Sequence, residues 1–134
     1  MKTGAIAYFA SLIPMLAIDA VWLTAMSKRF YAVRLGSLMA ESAKLGPAVV
    51  FYLIYILGVT TLVIVPAVND EWSFLKIFLL GALLGLVAYG TYDLTNQATL
   101  RDWPVIVTVV DLIWGSLLTA VVAIISTAIT RALA

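Results

Sequence analysis

Four long apolar windows, residues 4–26, 47–67, 73–98 and 104–130, constrain this chain more than any other feature. A helix crossing the hydrocarbon of a bilayer needs about 20 residues, and every window meets that length. Inside hydrocarbon no water satisfies the backbone, so each segment must close its own hydrogen bonds, which a helix does. The connections are short, and short turns place successive helices antiparallel. The expected fold is therefore all-α: a polytopic membrane protein forming an antiparallel up-and-down four-helix transmembrane bundle, one domain over residues 1–134. Composition agrees. The chain is 64% hydrophobic and 11% charged, against about 45–50% and about 25% in soluble domains.

Several chemistries are excluded. The net charge of +1 offers no basic stripe for nucleic acid. There is no cysteine and no histidine, which removes disulfides, thiolate catalysis, Fe–S clusters and the usual zinc and haem ligands. Carboxylates, phenols, hydroxyls, amides and indoles remain. The first window resembles a signal sequence in having Lys2 before an apolar run, but it is long, contains Asp19 and ends in Lys28-Arg29. It reads as a retained first helix.

In chain order, Pro14 lies inside the first helix and frees a carbonyl one turn earlier. Residues 27–46 carry Lys28, Arg29, Arg34 and Lys44 against Glu41. Tyr31, Leu35, Leu38, Ser42 and Leu45 recur near helical spacing, so this connection reads as a short interfacial amphipathic helix or a plain loop. The second helix starts at Pro47 and bears Tyr52 and Tyr55 on one face. An interfacial aromatic belt accounts for Tyr52; Tyr55, deeper, is the better buried hydroxyl. In the third, Gly81 and Gly85 form a G-x-x-x-G pattern, read as close packing inside one subunit. Asp102 is placed to cap the fourth helix.

The acidic residues divide into two groups. Glu41, Asp70, Glu71 and Asp102 fall in connections, whereas Asp19, Asp93 and Asp111 fall inside apolar windows, where no lysine or arginine is as deep. At 1.5 Å per residue all three lie roughly 7–12 Å from the same end of the bundle. Asp19 and Asp111 each begin an Asp-x-x-Trp pair, with Trp22 and Trp114. A membrane-embedded aspartate costs about 2.5–3.5 kcal/mol at a helix centre on insertion scales, so three in one layer call for partners. Shared protons would serve. So would a hard divalent cation, Mg²⁺ or Ca²⁺, ligated by Asp19, Asp93 and Asp111 with Asn96 and Thr95. A cationic substrate is the third solution. A hydrogen-bonded polar core that only fixes helix register is the structural alternative.

The residues of the expected binding site are Asp19, Asp93, Asp111, Asn96, Thr95, Tyr92, Tyr55, Trp22 and Trp114. The first expectation for them is a proton-linked or cation-binding carrier of a small molecule, working as a homodimer because four helices enclose little volume. A membrane enzyme acting on a lipid or isoprenoid, with two carboxylates as acid and base or holding Mg²⁺, is the alternative. An accessory subunit of a larger membrane complex is the third. Whether the protein is an enzyme stays open at this point.

The run Tyr-Gly-Thr-Tyr-Asp-Leu-Thr-Asn (89–96), Trp103-Pro104 and Asp-Leu-Ile-Trp-Gly (111–115) resemble the small bacterial membrane proteins of domain-of-unknown-function family 2177. Asp19, Trp22-Leu23 and Phe51-Tyr52 are similar as well. The resemblance implies a compact four-helix protein of the bacterial inner membrane and brings no activity with it.

Lys28, Arg29, Arg34, Lys44 and Arg101 lie on one side of the membrane, and Lys2, Lys76 and Arg131 on the other. The positive-inside rule then places both termini in the periplasm and the carboxylate layer toward the cytoplasm. A C-terminal alkaline phosphatase fusion is expected to be active and a C-terminal fluorescent protein dark; the reverse pattern would invert the topology.

Overall fold

A computed structural model describes all 134 residues. The protein is 87% helical with no strands, and its four long helices are Lys2–Leu38, Leu45–Asn69, Phe74–Thr99 and Val105–Leu133. Each is long and apolar enough to cross a membrane. Three match the expected windows to within a few residues.

The α-helical part of the first, Lys2–Met26, matches its window as well. The helix then continues past Met26 through a π-helical turn, Ser27–Tyr31, an α-helical turn, Ala32–Leu35, and a 3-10 turn, Gly36–Leu38. Of the two expectations for this connection, helical backbone is what forms over residues 27–38, while Ser42 lies in the bend beyond it. Lys28-Arg29 ends the apolar window but not the helix, because charge interrupts hydropathy without disfavouring helical backbone. The first residue that can stop it is Gly36, which takes φ 55°, a conformation open to glycine at little cost.

A second π-helical turn, Thr60–Ile64, interrupts the second helix just before Pro66. Proline has no N–H to donate and its ring crowds the carbonyl four residues back. The wider turn accommodates this, with the Val65 N–H donating to the carbonyl of Thr60. The third helix is capped by Ser73, whose hydroxyl accepts from the Lys76 N–H at 3.2 Å. The fourth lacks the expected cap: Pro104 takes the capping position, and Asp102 stands outside it with no bond to the helix start.

The third and fourth helices meet along glycines. A methyl group at Gly81 would sit 3.0 Å from Cα of Ala120, one at Gly85 would overlap the carbonyl of Gly115, and one at Gly115 would run into the Tyr89 ring. The G-x-x-x-G pattern is thus used within the chain. The first and second helices close the bundle over Met15, Tyr55, Ile56, Val59, Ile64, Leu118 and Val122. Large apolar side chains such as Phe9, Leu53, Leu57, Leu83 and Leu117 are exposed on the outside, where a bilayer would cover them. Away from the carboxylate layer, Arg131 donates to the carbonyls of Ala67 at 3.0 Å and Trp72 at 2.7 Å. It thereby supplies charge and donors where the second helix ends.

Glycine contacts this close predict a position-specific response. Gly85→Ala should destabilise the protein by about 1–3 kcal/mol through overpacking, read as unfolding in mixed detergent micelles. Gly58→Ala meets nothing within 4 Å and should be neutral or raise stability by about 0.5–1 kcal/mol. Equal effects at the two positions would contradict this packing.

Candidate functional site

Inward-facing residues on the first helix recur every four positions, Ala7, Ser11, Met15 and Asp19. On the fourth the buried stripe includes Val107, Asp111, Gly115, Leu118 and Val122. Both aspartates therefore occupy core positions of their helices rather than lipid-facing ones. Asp19 is 5% exposed, Asp111 7% and Asp93 0%.

The two Asp-x-x-Trp pairs exchange partners. Trp114, from the second pair, donates its indole N–H to Oδ1 of Asp19 at 3.0 Å. Trp22, from the first pair, donates to the Tyr31 phenol oxygen at 3.1 Å, and Tyr31 in turn donates to Oδ1 of Asp111. The indoles stack on each other with ring centroids 4.1 Å apart and planes within 9°. Tyr52 completes the arrangement by donating to Oδ2 of Asp19. Each of these aspartates thus accepts from one tyrosine and is tied, directly or through Tyr31, to the tryptophan of the opposite pair.

Above them lies a cleft of about 390 Å³. Its polar lining is Asp19, Asp111, Ser27 and the phenols and indoles of Tyr31, Tyr52, Tyr89, Tyr92, Trp22, Trp103 and Trp114; no lysine or arginine lines it. Leu35, Leu38 and Met39 border the same space. On a straight helix Asp19 and Leu38 would stand about 28 Å apart, too far to share a cleft of that volume. The chain beyond Met26 must therefore bend across the mouth, and the π-helical turn at Ser27–Tyr31 lies where the bend begins.

The structure divides the expected site residues. Asp19, Asp111, Trp22, Trp114 and Tyr92 border the cleft. Asp93 does not line it; it is buried on the third helix, where Asp111 is its acidic neighbour. Both of its carboxyl oxygens are buried without a hydrogen-bond partner. Asn96 and Thr95 do not reach the cleft; the Thr95 hydroxyl turns back to the carbonyls of Thr91 and Tyr92 on its own helix. Tyr55 is also elsewhere, bonded to the Thr119 hydroxyl at 2.6 Å. Between the two tyrosines of the second helix, Tyr52 rather than Tyr55 serves a carboxylate.

The three aspartates do not gather into a metal-ligand cluster, and no group of three or more acidic side chains does. Side-chain donors already occupy both oxygens of Asp19 and one of Asp111. Tyr31, Tyr52, Tyr89 and Trp103 are the aromatic cleft residues that sequence reasoning left out of the site. For Tyr31 the signal was present in its helical spacing with Leu35 and Leu38. For Trp103 it lies in the local geometry that seats its ring, which stands edge-on to Tyr92 at 5.6 Å while its N–H donates to Thr108 at 3.1 Å.

If Tyr52 serves Asp19, removing either partner should affect the other. In a double-mutant cycle of Tyr52→Phe and Asp19→Asn, unfolding in detergent should show a coupling of about 1–2 kcal/mol. Additive effects would mean that the bond contributes nothing.

Residues 4–128 match the family described as predicted membrane protein, DUF2177, a span that reaches all four helices. No curated protein and no solved structure matches the chain. The extent of that match settles the relationship: the chain belongs to the DUF2177 family of predicted membrane proteins.

Proposed function

We propose that this protein is a membrane carrier that binds a small organic cation between Asp19 and Asp111. The observation that carries the reading is the cleft's imbalance: two buried carboxylates, seven aromatic side chains and no lining cation. Buried carboxylates of one sign need a positive partner, because low dielectric strengthens their repulsion and removes their hydration. Aromatic faces attract an ammonium group through their quadrupole, by about 2 kcal/mol or more where water is excluded. Together they favour an alkylated or primary ammonium over a hydrated metal ion, which aromatic walls do not solvate.

A proton competes with such a cation for the same carboxyls, and this competition is the basis for proton linkage. Asp93, with no hydrogen-bond partner of its own and with Asp111 as its acidic neighbour, is the third member of the exchange. Below the cleft the bundle is closed by Met15, Ile56, Ile64 and Leu118. Passage therefore requires the helices to rearrange, and a homodimer is the assembly we favour for that.

One observation favours a second reading. Asp111 stands eight residues from the middle of the fourth helix, about 12 Å from its centre, whereas carriers commonly bind at the midplane. A site at that level suits an enzyme acting on a lipid or isoprenoid, with Asp19 and Asp111 as acid and base.

Proteoliposome flux of tetramethylammonium separates these readings. The full chain should accelerate uptake over protein-free vesicles, and Asp19→Asn or Asp111→Asn should reduce it by at least about tenfold, 1.4 kcal/mol in binding. Binding should weaken as pH falls, because protons then occupy the carboxyls. Binding without flux would favour the enzyme; wild-type and variant vesicles that neither bind nor transport would overturn the cation site.

A further inference from the structure

The stacked indoles of Trp22 and Trp114 have two sides. One borders the carboxylate cleft. The other borders a second depression of about 470 Å³ lined by Ile18, Val21, Trp22, Ala25, Met26 and Trp114, all apolar. This groove runs along the first helix on the outer surface of the bundle, where Val21 is 71% exposed. The tryptophan pair is thus a partition, with a polar space that favours positive charge on one side and a hydrocarbon-lined trough on the other. Immediately beyond the groove, at Met26, the chain enters the segment that bends over the cleft, and Lys28, Arg29 and Arg34 on that segment are exposed.

We propose that the occupant of the site is a phospholipid whose headgroup ends in an ammonium group. The ammonium lies between Asp19 and Asp111, the phosphate meets the basic segment, and one acyl chain lies in the groove along Val21 and Ala25. The inference rests on the cation-binding reading above and deepens it by naming the ligand class. Charge complementarity supports it in both signs: carboxylates without a lining cation face the ammonium, and three exposed cations stand on the segment just beyond the groove. The position of Asp111 away from the helix middle agrees, since an ammonium carried by a lipid head does not reach the midplane of the bilayer. A soluble cation would make no use of the groove.

The test compares a head with a lipid. Purified full-length protein in a maltoside detergent is titrated with ethanolamine, short-chain phosphatidylethanolamine and phosphatidylglycerol of the same chain length, followed by intrinsic tryptophan fluorescence and native mass spectrometry. Phosphatidylethanolamine should bind at least about tenfold tighter than either of the others. Ala25→Phe fills the groove away from the carboxylates. It should weaken phosphatidylethanolamine by about tenfold and leave ethanolamine unchanged, while Asp111→Asn weakens both. Val21→Phe repeats the groove test if Ala25→Phe lowers the melting temperature. Ethanolamine binding as tightly as the lipid, or lipid binding unaffected by both groove variants, would overturn the lipid assignment and leave the cation site standing. Phosphatidylglycerol binding equally well would overturn it too, by showing that the chain alone is recognised. Failure of every amine to bind would remove the cation site and the lipid assignment together.

Discussion

A buried carboxylate needs donors to replace the water it has lost, and at Asp19 and Asp111 three side chains of this bundle, Tyr52, Trp114 and Tyr31, supply them. Asp19 accepts from a helix-two phenol and a helix-four indole; Asp111 accepts from Tyr31, which is itself held by Trp22. Three of the four helices are thereby joined through two side chains. Because each Asp-x-x-Trp pair serves the other's aspartate, sliding the first helix against the fourth would break both sets of bonds at once. The same contacts that satisfy the acids also set the register of the bundle.

The glycine contact between the third and fourth helices complements this. Close approach at Gly81, Gly85 and Gly115 lets Tyr89 lie against the fourth helix and still border the cleft. It also buries Asp93 completely, beside Asp111 and away from the cleft lining. The bend after Met26 adds the remaining wall. Without it Tyr31 could not reach Asp111, and that aspartate would lose its phenol. A local departure from α-helical geometry, one π-helical turn, is therefore coupled directly to the chemistry of the site; such turns are often found where function needs a side chain redirected.

Much of this was legible in the sequence because the signals were strong and one-dimensional. Apolar length marked four spans, and charge inside them marked Asp19, Asp93 and Asp111 as residues needing partners. The spacing of Asp19 with Trp22 and of Asp111 with Trp114 pointed to one layer, though not to the exchange of partners between them. What was hidden depended on direction. Tyr52 and Tyr55 share a helix face in sequence, yet one meets a carboxylate and the other a threonine. Thr95 and Asn96 are polar near the end of an apolar helix, but a threonine hydroxyl can satisfy itself on its own backbone, and Thr95 does. Hydropathy placed a boundary at Lys28-Arg29, where the α-helix gives way to a π-helical turn but the backbone stays helical. Residues 27–39 were therefore read as a connection, although they supply a wall of the cleft.

The most direct test of the central claim is an experimental density map of the protein in lipid nanodiscs at a resolution that shows side chains. The account predicts stacked Trp22 and Trp114, Tyr52 on Asp19, Tyr31 on Asp111, and non-protein density in the cleft against both carboxyls. Aspartates turned to separate lipid-facing surfaces, or a cleft collapsed by its own aromatic side chains, would contradict it.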